Sequence, residues 1–237
     1  MMKTFRVPRF GEEVSDARRA VRRRAGEIQE EMGLEGFLEW FDRLYAEAGG
    51  DASLIPWADL APHPALTDWL RRNAPHAGRA LEVGCGLGDN AAALAEAGYA
   101  VTAFDISPRA VEWARARFGD EERIAFLAAD LFAAPAQWRG AFDLINEIYT
   151  LQSLPLPLRA RAFRSLASFL KPGGRMFLVC RAREEEEPVG GPPPWPLSRG
   201  ELEGLARAGL ECTKLERVIV DSGRAVPHFV SEWRRPE

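Results

Sequence analysis

Sulfur and imidazole are scarce in this chain, which has three cysteines, three histidines and four methionines in 237 residues. Cys85, Cys180 and Cys212 are odd in number, far apart and without a CxxC pair. That excludes a disulfide scaffold and a cysteine-rich zinc site, and it suits a reducing compartment. Nowhere do ~18 apolar residues run together, so no helix that crosses a bilayer is expected. The opening MMKTFRVPRFGEEV has no apolar core followed by a small-residue cleavage site, so a cytoplasmic location is the expectation. The few histidines form no evident Ser-His-Asp or Cys-His constellation, which leaves little material for covalent catalysis by the protein.

Charge of one sign is also missing overall. The chain carries 31 Lys plus Arg against 35 Asp plus Glu, a formal charge of −4, which argues against a general nucleic-acid coat. The balance is uneven, because residues 1–24 carry eight basic and three acidic side chains, +5, and the remainder carries −9. Arg18, Arg19, Arg22, Arg23 and Arg24 open a helix expected to run on through IQEEMGLEGFLEWFDRLYAEAG. Those arginines read either as a solvated helix face or as a contact for RNA or another polyanion. Phe37, Phe41, Leu44 and Ala48 recur at helical spacing, widened by Leu38, Trp40 and Tyr45, and that stripe is expected to pack on the main domain. Gly49 and Gly50 end the helix. Residues 1–60 are therefore expected to form a helical extension or cap, and 61–237 a single domain.

From residue 80 onward apolar strands alternate with amphipathic helices, the pattern of a doubly wound parallel sheet. Strands are expected at 79–84, 99–105, 123–128, 141–148 and 174–181, with helices near 89–97, 108–118 and 157–170 between them. Lys171-Pro172-Gly173-Gly174 stops the last of these, and Ser198 with Glu201 has capping-box spacing for a helix near 198–208. Two strand-like runs, 210–221 and 225–233, are separated by Ser222-Gly223-Arg224 alone. That gap is too short for a crossover helix, so the runs must form a hairpin that puts one antiparallel strand into the sheet.

The strongest chemical signal is Leu81-Glu82-Val83-Gly84-Cys85-Gly86-Leu87-Gly88-Asp89, a strand entering a glycine turn ahead of an alanine-rich helix. Glycines permit positive φ and close approach of a ligand, and the helix start offers unpaired N–H groups. The GxGxG spacing with an acid two residues upstream differs from the GxGxxG of dinucleotide dehydrogenases, which disfavours a nicotinamide-dependent oxidoreductase. The next strand ends in Asp105, where a carboxylate can hold both hydroxyls of a ribose. The third is followed by Asp130. Any one of these acids could cap a helix, but three at successive strand ends point to a nucleoside-binding edge.

On these residues the chain resembles the class I S-adenosylmethionine-dependent methyltransferases over about residues 60–235. The resemblance implies a Rossmann-like three-layer α/β sandwich with a seven-stranded sheet in the order 3-2-1-4-5-7-6, strand 7 antiparallel. LEVGCGLGD resembles the family's first motif, so Glu82, Gly84, Cys85, Gly86 and Gly88 would shape the methionine and ribose site. Asp105 with Ile106 would hold the ribose, and Asp130 with Leu131 the adenine. Glu147 would line the cofactor side of the pocket. The cofactor implied is S-adenosylmethionine, leaving as S-adenosylhomocysteine, with no metal.

The fourth strand delivers Asn146-Glu147-Ile148-Tyr149-Thr150-Leu151-Gln152, without the Asn or Asp-Pro-Pro-aromatic sequence of relatives that methylate base amines or glutamine. Tyr149 and Gln152 are candidates for the acceptor pocket, or else pack the start of the following helix. The segment from Trp40 to Leu66 resembles the N-terminal region of thiopurine and tellurite-resistance methyltransferase-like proteins. By that likeness Trp57 and Tyr45 would touch the cofactor. His63 is a candidate proton acceptor or a structural histidine between two prolines. The stretch EEEEPVGGPPPWP at 184–196 reads as a stiff connection or as a lid carrying Trp195 over the acceptor. Cys85 reads as a packing residue rather than a nucleophile.

The expected activity is methyl transfer to a small molecule by in-line displacement, in a monomer or homodimer, with no nucleic-acid partner expected. The alternatives are a methyltransferase guided to RNA or a protein by its arginine-rich start, and a protein that binds the cofactor without transferring methyl.

Overall fold

The computed structural model describes residues 2–6, 20, 23–28, 36–73, 77–191, 193–221 and 225–237. Its centre is the strand β2 (Arg79–Val83), flanked by β3 (Ala100–Asp105) and then β4 (Ile124–Ala128) on one side. On the other side come β5 (Phe142–Ile148), β6 (Leu170–Arg181), β8 (Ala225–Arg234) and β7 (Glu211–Asp221). The reversed strand is β8, antiparallel to both β6 and β7. The expected seven-strand order is thus recovered, and an eighth strand adds to it. Strand β1 (Thr4–Arg6) pairs parallel with the outer edge of β7, Phe5 opposite Val220. The tight turn between β7 and β8, expected at Ser222-Gly223-Arg224, lies outside the described residues.

Alternation of side chains explains why the sheet is covered on both faces. Along β6, Met176, Leu178 and Cys180 enter one hydrophobic layer and Phe177 and Val179 the other. The first layer is closed by the helices α5 (Leu156–Phe169) and α6 (Arg199–Arg207). The second is closed by α2 (Pro64–Asn73), α3 (Asp89–Glu96) and α4 (Pro108–Phe118). The expected helix at 157–170 ends one residue early, because Leu170 already pairs with Phe142 across the sheet. The capping box of α6 forms as its spacing requires, Glu201 N–H donating to Ser198 Oγ and Ser198 N–H to Glu201 Oε2.

The N-terminal helix departs from expectation. Instead of running unbroken from the arginines, α1 (Phe37–Ala48) begins after Gly36 and is preceded by helical residues at 23–28. Trp40 Nε1 donates to the Ala25 carbonyl at 2.8 Å, and Arg24 pairs with Glu47 at 3.1 Å, which folds this earlier segment onto α1. Arg24 is accordingly engaged within the chain, whereas Arg18, Arg19 and Arg22 lie outside the described residues. Trp40, Leu44, Tyr45 and Ala48 are buried as the stripe requires, and the side chains of Phe37 and Leu38 lie outside the described residues. Asp42 anchors α1 to α4. It accepts the Ser107 hydroxyl at 2.7 Å and pairs with Arg109, while Ser107 Oγ caps α4 by accepting from Ala110 N–H.

Candidate functional site

A cavity of about 460 Å³ opens at the C-terminal ends of β2 to β6, the edge at which open α/β sheets place ligands. Its floor is the glycine turn. Gly84, Gly86 and Gly88 all have positive φ, +62°, +51° and +90°. At Gly84 a Cβ would collide with the Thr150 side chain, whose hydroxyl is fixed on the Val83 carbonyl at 3.0 Å. Glycine is therefore what lets β5 cross close over the turn. Gly88 serves the other side, where its bare α-carbon faces the rings of Phe118 and Phe126. It shapes the helix start but does not line the cavity.

Asp105 ties the end of β3 to this turn. Its carboxylate accepts Gly86 N–H at 2.9 Å on one oxygen and Ser107 N–H at 3.0 Å on the other, Ile106 N–H adds a third bond, and acceptor capacity remains for a ligand. Burial pushes its carboxyl up, against the pull of those backbone donors. Ile106 follows it on the cavity wall, and Asp130 and Leu131 line the wall beyond β4. Asp130 Oδ1 is held by Phe132 N–H at 2.8 Å. Tyr45 and Trp57 close over the turn, the indole N–H donating to Tyr45 Oη at 3.0 Å. Cys85 lines the cavity with its thiol pushed up by burial, which makes it a poor nucleophile.

Glu82 lies beneath the floor. It is 1% exposed, and its two oxygens accept Asn90 Nδ2 at 3.3 Å and Asn146 Nδ2 at 2.6 Å. Burial pushes its pKa up to about 8. Asn90 reaches the cavity and also accepts the His63 backbone N–H at 2.9 Å, so one amide joins the motif acid to the loop before α2. Neither amide is given a role by the motif reading of the sequence. The signal for Asn146 was a polar pair, Asn146-Glu147, inside a strand buried along most of its length.

Several expected residues sit elsewhere than the cavity wall. Glu147 turns away, accepting Leu151 N–H at 2.8 Å, and among the described residues its buried Oε2 meets no hydrogen-bond partner. Trp195 is 7% exposed within the core, with its indole N–H on the Gly191 carbonyl at 2.7 Å. The loop therefore presents Pro193 and Pro194 to the cavity, and Trp195 anchors it from behind. The loop's glutamates are exposed, and three of the four are engaged. Glu184 pairs with Arg217, and Glu185 accepts Gly200 N–H at the start of α6. Gln152 does reach the cavity, yet its side chain accepts Arg181 N–H at 2.6 Å and its carbonyl accepts Trp195 N–H.

At the far end stand His63, Tyr149 and a residue the sequence did not announce, His228. Tyr149 Oη lies 3.0 Å from His63 Nε2 and 3.1 Å from His228 Nε2. His228 interrupts the otherwise apolar β8 run AVPHFV, the one local sign that could have marked it. Arg181, at the end of β6, lines the same end.

Comparison with known proteins agrees with this geometry. A methyltransferase-domain family profile matches residues 80–174. The probable thiol methyltransferase 2 of Arabidopsis thaliana is 30% identical over 206 residues, covering 81% of this chain and 86% of that protein. The ubiquinone biosynthesis O-methyltransferase of Aromatoleum aromaticum is 34% identical over 117 residues, 48% of this chain and 49% of that protein. The chain thus spans about half the length of the latter relative. In fold, it is similar to the N-methyltransferase NodS of Bradyrhizobium japonicum WM9 bound to S-adenosylhomocysteine. The TM-score is 0.65 at 21% identity, over 85% of this chain and 100% of that one.

The fold and the strand-end cavity are those of a Rossmann-like α/β protein. Since the similarity to the probable thiol methyltransferase runs through more than four fifths of both chains, the protein belongs to the class I S-adenosylmethionine-dependent methyltransferases. The residues present fit that cofactor. Gly86 has positive φ and keeps the turn open beneath Tyr45, and Asp105 is fixed at the strand end with acceptor capacity to spare. Among the described residues no cluster of His, Cys, Asp and Glu suits a metal ion, and no helix is long and apolar enough to cross a membrane.

Proposed function

We propose that the protein transfers the methyl group of S-adenosylmethionine to a small-molecule thiol. The observation that carries this reading is the division of the cavity. An acidic, glycine-floored end with Asp105 and Asp130 suits a nucleoside, and an end with His63, Tyr149, His228 and two prolines, to which Arg181 and Asp59 bring one charge of each sign, suits an acceptor without net charge. The thiol is favoured by the relative matched along most of its length, a probable thiol methyltransferase. Bound S-adenosylmethionine supplies an electrophilic methyl on a sulfonium sulfur.

The chain's own residues would bind and orient. Asp105 would accept the ribose hydroxyls while Gly86 N–H holds its carboxylate, and Asp130 would face the adenine. Glu82 would act through Asn90 on the methionine end. Tyr45 and Trp57 would cover the cofactor, exclude water and present ring faces near the cation, worth about 0.5–2 kcal/mol for a well-placed ring. Positioning of two bound reactants supplies up to about 7–11 kcal/mol in well-oriented systems, so no covalent enzyme intermediate is needed.

Of residues 1–60, expected from the sequence to cap the domain 61–237, Thr4–Arg6 joins that domain's sheet instead, and we assign the cap role to residues 36–60, supported by the contact of Asp42 with Ser107 and of Tyr45 with Trp113, whose rings lie 5.7 Å apart. A cytoplasmic monomer or homodimer is the simplest setting for a protein with three free thiols. The RNA-guided alternative is weakened by the engagement of Arg24 with Glu47. Incubation with methyl-labelled S-adenosylmethionine and a panel of alkanethiols, arenethiols, amines and phenols tests the reading. Labelled thioether products are expected, and labelling confined to amines or phenols overturns the choice of thiol.

A further inference from the structure

The row His63, Tyr149, His228 lines the cavity, and its hydrogen bonds have a direction. His228 Nδ1 lies 2.8 Å from the Val226 carbonyl oxygen, and His63 Nδ1 lies 3.2 Å from Ala65 N–H. A carbonyl only accepts, so His228 Nδ1 carries a proton. An amide N–H only donates, so His63 Nδ1 is bare. Burial lowers His63 to about 3 and His228 to about 4, so each ring is neutral near pH 7 and holds a single proton. It follows that His63 Nε2–H donates to Tyr149 Oη, and that the Tyr149 hydroxyl donates to His228 Nε2. The phenol oxygen keeps one lone pair at the cavity.

Tyr149 is also held in the left-handed region, φ +75°, a conformation that a bulky side chain rarely adopts outside functional sites. Two charged groups bear on the row. Burial pushes the Tyr149 phenol up and keeps it protonated at rest; Arg181 opposes that shift and also opposes an imidazolium at His228, and Asp59 adds to it.

We propose that Tyr149 takes the proton of the methyl acceptor while His228 Nε2 takes the proton of Tyr149, and that His63 is the positioning donor that fixes the phenol. The inference rests on the thiol-methyltransferase reading. In the step, the acceptor S–H bond breaks and its electron pair stays on sulfur, which becomes the nucleophile. The proton bonds to Tyr149 Oη as the O–H proton leaves for His228, and the imidazolium returns that proton to water after product departs. Such a relay serves a neutral thiol, whereas an acceptor already ionised in solution has no proton to give.

The test compares 2-mercaptoethanol, largely protonated at neutral pH, with thiophenol, largely ionised. Tyr149→Phe is expected to lower kcat/KM for 2-mercaptoethanol at least tenfold more than for thiophenol. His228→Gln, which can accept the phenol's hydrogen bond but not its proton, is expected to show the same selective loss. Equal losses on the two thiols would overturn the relay. Nitrogen-15 imidazole spectra of the resting protein read the geometry without turnover. His228 protonated at Nδ1 and His63 at Nε2 support the proposal, and either tautomer reversed overturns it. If the wild-type protein methylates neither thiol, the thiol reading fails and the relay stands or falls on the tautomers.

Discussion

The Asp105 carboxylate receives the Gly86 N–H at 2.9 Å, so the acid at the end of β3 and the second glycine of the turn after β2 form one unit. A substitution there should damage the ribose site and its support together. In Asp105→Asn the new NH2 group must face either Gly86 N–H or Ser107 N–H, donor against donor. Affinity for S-adenosylhomocysteine is expected to fall at least tenfold, about 1.4 kcal/mol or more. Unchanged affinity by titration calorimetry would place the ribose elsewhere.

Gly84 and Gly140 make a matched pair, with φ of +62° and +61°. Alanine costs about 1–2 kcal/mol for the backbone at either position. Only at Gly84 would the added methyl meet a neighbour, the fixed Thr150 side chain, since nothing lies within 4 Å at Gly140. Gly84→Ala is expected to lose about 1–3 kcal/mol more than Gly140→Ala in urea unfolding. Equal losses would mean that Thr150 moves aside freely.

Stability should fall as pH rises through neutrality. Glu82 is lifted to about 8 in the folded protein, so it keeps a proton there that the unfolded chain has already lost. The stability this contributes is complete below the ordinary glutamate range and is lost as pH rises through about 8, with a slope of up to ~1.4 kcal/mol per pH unit. Glu147, lifted to about 7, acts with the same sign. His63 and His228 act with the opposite sign, since their lowered values give stability above the ordinary histidine range that is lost as pH falls through about 4 and then about 3. Glu82→Gln should flatten the unfolding free energy between about pH 6 and pH 8 relative to wild type. An unaltered slope would show that Glu82 is ionised when buried.

Asp42→Ala should loosen the cap. It removes the acceptor of the Ser107 hydroxyl and the partner of Arg109, a loss of about 1–3 kcal/mol for hydrogen bonds to a charged group. Faster amide exchange across 37–48 and a few-fold weaker binding of S-adenosylhomocysteine are expected, because Tyr45 and Trp57 ride on that contact. Exchange as slow as in wild type would mean that ring packing alone holds α1.

The parts of this molecule that were legible in its sequence are those fixed by local rules. Alternation along Met176 to Cys180, the glycine turn at Gly84, and the Ser198 and Glu201 cap each depend on neighbours a few residues away. The reversed strand followed from a gap too short for a helix. The eighth strand did not show, since Thr4–Arg6 is three residues long and gains its place by pairing with β7, more than two hundred residues away. Trp195 and Glu147 pointed away from the cavity because backbone partners at Gly191 and Leu151 hold them, and such partners leave no periodic trace. His228 was missed for the same reason. Its meaning comes from Tyr149, 79 residues earlier in the chain.

The most direct test of the account is titration calorimetry of the full chain with S-adenosylmethionine and S-adenosylhomocysteine, wild type beside Asp105→Asn. Saturable one-to-one binding of both compounds, weakened at least tenfold in the variant, is the predicted result. Absence of binding to the wild-type protein, or binding indifferent to Asp105, would contradict it.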